Sequence, residues 1–297
     1  VIAAPDIIWS WGFNCDEGPK TDELIQGIAG KAWKYHVSRA PHDCCLNELE
    51  ELVEPRLRYM SEQMKLGVKT ISETIGIEVT EQHVASANKK MSSFGFKVGM
   101  LTADPPVLSG DTISLIQQIM TVPFNTGTTY MNDAIDTLIK ELRTAIKNGE
   151  GVMPKGTPKV AIRNLPYCIP WLGKLFRDNG IMVQFACVLT QSKRQLQPTS
   201  YPAAAESWSR NPTCMNIKNE CDSFIEKLQT LKADGMLLGF FDFDRWAGPQ
   251  QKLQAKIVEE TLHLPCFYIE ADFWDDREYS QEALKTKIES ICQVFKM

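Results

Sequence analysis

The stretch that decides the fold runs Ala233-Asp234-Gly235-Met236-Leu237-Leu238-Gly239-Phe240-Phe241-Asp242-Phe243-Asp244-Arg245-Trp246, and it is followed after one helical pattern by Leu264-Pro265-Cys266-Phe267-Tyr268-Ile269-Glu270-Ala271-Asp272. Each half is a short apolar run that starts from a turn and ends in acidic residues. Neither run alternates apolar with polar residues, as a sheet exposed on one face would. Between them, residues 250–262 carry helical spacing. Strand, amphipathic helix and strand in that order predict a parallel sheet covered on both faces.

The same alternation extends backwards. Lys159 to Leu165 and Ile181 to Leu189 read as strands, while Trp171 to Arg177, Ile217 to Leu231 and Ser280 to Phe295 read as helices. The second half is therefore an α/β doubly wound lobe over residues 151–297. In such sheets ligands bind beyond the carboxyl ends of the strands, so Pro166 to Cys168, Asp242 to Trp246 and Glu270 to Asp272 are expected at one crevice.

Residues 1–150 read as a second α/β lobe with a helical extension. Val1 to Trp9 is an apolar strand that delivers Cys15 to the polar turn Cys15-Asp16-Glu17-Gly18-Pro19. A second strand spans Trp33 to Val37. The helix after Asp43 shows Leu46, Leu49, Val53, Leu57, Met60 and Met64 on one face, with Pro55 a potential kink. Another helix opens at Thr80-Glu81. Two more patterns lie between Asp111 and Lys147, the second with the stripe Met131, Ile135, Leu138, Leu142 and Ile146. Gly, Pro and Lys enrich Lys147 to Pro158, which places the lobe boundary there. The fold expected is two Rossmann-like lobes, with mainly parallel sheets and flanking helices.

Composition narrows the functions. The 297 residues carry a net charge of −5 with no basic cluster, which excludes a nucleic-acid backbone as partner. No apolar run approaches the ~20 residues of a membrane span. The chain opens inside a strand, so a preceding segment is expected. Nine cysteines, an odd number spread through apolar elements, point to a reducing cytoplasm.

Among the cysteines, Cys15 and Cys168 stand out because each follows a strand and enters a turn, where a thiolate can reach a metal cluster lodged between lobes. The competing reading for both is an inert, partly buried thiol. Cys187, Cys221, Cys266 and Cys292 fall in apolar patterns and read as core. Asp242, Asp244 and Arg245 form a charged cluster interleaved with Phe243 and Trp246, which is either a ligand contact or a capping loop with a surface ion pair. His36, His42, His83 and His263 share no helix-face spacing that would suggest a catalytic or metal set.

The order of several motifs resembles the 2-hydroxyacyl-CoA dehydratase and benzoyl-CoA reductase family. Asp234-Gly235 before a strand, then Pro265 to Asp272, then Arg277 and a helix containing Leu284 to Glu289 are similar to the C-terminal lobe of its subunits. Cys15-Asp16, Ile75 to Glu81 ahead of a helix holding Asn88, and Pro106-Val107-Leu108-Ser109-Gly110 follow in matching order. The resemblance implies a 4Fe-4S cluster held by three cysteines, an acyl-CoA substrate, a homologous second subunit or second copy, and an ATP-dependent iron-sulfur activator. Cys15 matches the middle cysteine. Where the family places its third, this chain has Asp242-Phe243-Asp244, so Asp244 or Cys168 is the expected replacement ligand. Asp242, Trp246, Glu270 and Asp272 are the expected crevice residues. A subunit without a cluster, shaping the substrate or subunit interface, is the other reading.

Overall fold

The computed structural model describes residues 6–12, 17–29, 34–39, 53–91, 98–113, 115, 128–163, 170–185, 200–209, 217–240, 247–270 and 280–296. By its contacts the chain divides into two units. The first comprises Val1–Ser92, Gln191–Glu220 and Phe243–Ala247; the second comprises Ser93–Thr190, Cys221–Asp242 and Gly248–Met297. The segment Lys147 to Pro158, a linker by its composition, instead runs inside the second unit, where Gly156 N–H donates to Asp104 Oδ1 at 2.7 Å.

The first unit holds a parallel pair, β1 (Ile7–Gly12) and β2 (Lys34–Arg39), in register from Ile7↔Lys34 to Gly12↔Arg39. Between them runs α1 (Glu17–Ala29), a helix not anticipated from the polar turn. Its Gly18 and Pro19 sit in the first turn, where backbone N–H groups have no intrahelical acceptor and proline is tolerated. The same reasoning corrects the kink expected at Pro55, which falls in the first turn of α2 (Val53–Ile75). Met60 and Met64 of α2 pack with Ala204 and Ala205 of α7 (Tyr201–Ser209), a second helix that the apolar periodicity does not announce.

After α2 comes α3 (Glu81–Met91), whose start is closed by a reciprocal pair: His83 N–H donates to Thr80 Oγ1 at 3.3 Å, and Thr80 N–H donates to His83 Nδ1 at 3.2 Å. This is a capping box with histidine in the usual Glu/Gln place.

The second unit is built on a four-stranded parallel sheet in the order β4-β3-β5-β6, formed by β3 (Lys159–Arg163), β4 (Met182–Phe185), β5 (Gly235–Phe240) and β6 (Cys266–Glu270). Side chains alternate between two apolar layers. On one face Val160, Ile162, Leu237 and Ile269 meet α5 (Thr129–Asn148), α6 (Pro170–Asp178) and α10 (Gln281–Val294), together with Met100 and Leu101 from α4 (Val98–Leu101). On the other, Ala161, Met236 and Leu238 meet α8 (Ile217–Leu231) and α9 (Ala247–Leu262) through Phe224, Leu228, Ala255 and Val258. Burial on both faces explains the absence of polar alternation in the strands.

Two motifs of the family-like sequence pattern are structural. Asp234 tethers the amino edge of the sheet: its Oδ2 accepts from Lys159 N–H at 2.7 Å, and its own N–H donates to Lys159 O at 2.7 Å. A side chain on the neighbouring Gly235 would collide with the Phe295 ring. Val107, Leu108, Ser109 and Gly110 are buried, and a Cβ on Gly110 would lie 2.7 Å from Gly173 O of α6. The two backbones cross with no room between them.

Candidate functional site

In the second unit the connections from β3 run in opposite directions. From β3 the chain passes through α6 to β4 on one side, whereas β5 lies on the other side of β3 and leads through α9 to β6. The sheet order reverses between β3 and β5, and α6 and α9 cover opposite faces. In open α/β sheets it is at such a switch point, beyond the carboxyl ends of the strands, that ligands bind. Those ends are nearly level: Arg163 pairs with Leu238, and Phe240 pairs with Glu270.

In chain order, the predicted site residues other than Cys15 stand at or after the carboxyl ends of these strands. Cys168 lies between β3 and α6. Asp242, Asp244 and Trp246 lie between β5 and α9, and Asp272 follows β6. All five are outside the described residues, as is Cys15 of the first unit, which lies between β1 and α1. Glu270 is the last residue of β6, opposite Phe240, and only its backbone is described. The structure thus fixes the strand ends from which these segments depart.

The cysteines that are described do not suit metal binding. Cys221, Cys266 and Cys292 are free and buried. Burial, reinforced by the nearby Glu259 carboxylate, pushes the Cys266 thiol up to about 12, and burial pushes Cys292 up to about 11. Metal ligation needs the thiolate, which these surroundings disfavour. Among the described residues no group of three His, Cys, Asp or Glu side chains could hold a metal ion. The expected ligands Cys15, Cys168 and Asp244 lie outside the described residues.

One buried polar group at the carboxyl edge was not anticipated. Arg163, at the end of β3, is 4% exposed; its Nη1 donates to Gln254 Oε1 of α9, and its guanidinium lies 4.3 Å over the Phe224 ring. Lys227 Nζ is 5.3 Å from the same ring. Gln251, one turn before Gln254, is fully buried. The signal was present in the sequence: Gln251 and Gln254 occupy the apolar stripe that Ala255 and Val258 continue, and glutamine in such a stripe marks a polar site in a core.

The architecture defines an α/β protein whose parallel sheet has a switch point between β3 and β5. The match to the 2-hydroxyglutaryl-CoA dehydratase, D-component family extends over residues 4–294, and the chain belongs to that family. It is accordingly a component of a 2-hydroxyacyl-CoA dehydratase. A search of curated proteins finds no match to it. No described helix is long and apolar enough to cross a membrane.

Proposed function

We propose that this chain is a cytoplasmic, cluster-bearing subunit of a 2-hydroxyacyl-CoA dehydratase or a benzoyl-CoA reductase-like enzyme. Family membership over nearly the whole chain carries the reading. The switch point between β3 and β5 supports it, because the chain departs from these strands into the segments that hold Cys168 and Asp244.

Cys15, with Asp244 or Cys168 in place of the third cysteine, would hold a 4Fe-4S cluster, Asp244 being the harder donor and the weaker match to iron-sulfur chemistry. When bound, such a cluster supplies low-potential electron transfer to the acyl-CoA. The electron would come from a separate ATP-hydrolysing iron-sulfur activator, and a homologous subunit or second copy would complete the enzyme. The chain's own share is to orient the acyl-CoA and keep water from it, with Asp242, Trp246, Glu270 and Asp272 as the contacting residues.

The second reading, a partner without a cluster, is favoured by one observation: Asp242-Phe243-Asp244 stands where a third cysteine belongs. Iron and acid-labile sulfide, measured after anaerobic purification, separate the two. The cluster reading expects both in the wild type, and most of each lost in Cys15→Ala and reduced in Asp244→Ala. A wild type free of iron would establish the partner reading instead.

A further inference from the structure

The capping box of α3 depends on a nitrogen where the usual glutamate or glutamine offers an oxygen. His83 Nδ1 accepts from Thr80 N–H at 3.2 Å, His83 N–H donates to Thr80 Oγ1 at 3.3 Å, and Val84 N–H donates to Thr80 O at 3.2 Å. Only neutral imidazole has a ring nitrogen free to accept. The side chain is exposed, so solvent protons reach it. Once protonated, Nδ1 carries a hydrogen that faces the Thr80 N–H, donor against donor. The new cation also stands in the first turn of a helix, where the macrodipole favours negative charge. Both effects open the cap.

The cap does not serve α3 alone. Glu81, between Thr80 and His83, reaches the start of α7, where its Oε1 accepts from Tyr201 N–H at 2.6 Å, while Ser200 Oγ accepts from Ala203 N–H at 3.2 Å. These donors open a helix and have no acceptor within it. From there α7 seats Ala204 and Ala205 on Met60 and Met64 of α2, and all three helices belong to the first unit. The charged and titratable groups about the junction are Glu78 and Glu81 on the segment of His83, Glu62 and Lys65 of α2, and Tyr201 of α7. Lys65 Nζ is engaged by Glu62 Oε1 at 2.7 Å. Of these residue types, histidine is the one that ordinarily changes charge between about pH 5 and 8. We infer that His83 is a pH-sensitive latch: neutral, it closes the first turn of α3 and holds Glu81 against the start of α7; protonated, it releases both.

The test is hydrogen exchange of the full chain, read by mass spectrometry at about pH 7.5 and about pH 5.5, on either side of the histidine range, and corrected for the intrinsic pH dependence of exchange. Peptides covering residues 79–86 and 200–206 report the latch, and a peptide covering β5 serves as control. In the wild type both reporting peptides should lose protection at the lower pH by about threefold to tenfold, the worth of a helix cap, while β5 is unchanged. His83→Gln restores the usual capping box with an amide oxygen that takes up no proton, and its protection should be the same at both pH values. A loss in His83→Gln equal to that of the wild type would assign the effect to Glu81 or another carboxylate and overturn the inference. Wild-type protection that does not change with pH would overturn it too. So would a matching loss in β5, which is general loosening, or a loss confined to 79–86, which makes α7 independent of the cap.

Discussion

At the scale of single residues, Cys266 shows how burial separates a structural thiol from a reactive one. Its Sγ lies 3.7 Å from Leu264 O, and its backbone N–H donates to Glu259 Oε1 at 3.3 Å. The folded thiol titrates at about 12, above its ordinary value of 9.0, so the native state keeps a proton that the unfolded chain releases earlier. Its contribution to stability is complete below pH ~9 and is lost as pH rises toward ~12. Denaturant unfolding across that window should show stability falling more steeply in the wild type than in Cys266→Ala; parallel curves would contradict this. Lys232 offers a second case. It ends α8 at φ 51, with its N–H on Gln229 O and the next N–H, from Ala233, on Leu228 O. This is the geometry in which Gly149 and Gly180 close α5 and α6. A lysine there bears the left-handed penalty, so Lys232→Gly should raise the unfolding free energy by about 1 kcal/mol. The core cysteines were legible in the sequence because their neighbours are apolar. The left-handed lysine was not, since nothing in its side chain announces it.

At the scale of elements, helix and strand order in the second unit follows from periodicity alone, and α8 occupies the span 217–231 that its apolar spacing predicts. Two helices are hidden from that kind of reading. α1 lies behind Gly18-Pro19, and α7 has only a short apolar face that acquires meaning when it meets Met60 and Met64 of α2. The Gly110–Gly173 crossing is equally hidden, because it joins positions far apart in the chain. A Cβ on Gly173 would lie 2.6 Å from Gly110 C and 2.8 Å from Asp111 Cα, both backbone atoms that cannot rotate aside. Gly173→Ala should therefore destabilise the protein by about 1–3 kcal/mol, as overpacking of a close-packed interior does. Gly27→Ala, whose added methyl would have nothing within 4 Å, should not destabilise it. Equal melting temperatures for the two variants would disprove the crossing as a constraint.

At the scale of the whole molecule, the α/β class and the parallel sheet could be read from unalternated strands separated by amphipathic helices. The strand order could not, because parallel pairing leaves no mark on the strands themselves. That order is what locates the switch point. The expected ligands Cys15, Cys168 and Asp244 were legible only as residues that follow strands. The buried Gln251 and Gln254 were legible only as amides in an otherwise apolar stripe.

The order β4-β3-β5-β6 has a further consequence for how the protein comes into being. The central strand β3 finds its β5 neighbour only after residue 235 is made, and the core around Met100 and Leu101 is finished by Ile288, Ile291 and Cys292 of α10. Few of these pairings are local, and loops must close before such contacts reward the chain. On the ribosome the second unit therefore stays open, with one apolar face of its sheet waiting for its cover, until synthesis has passed α10.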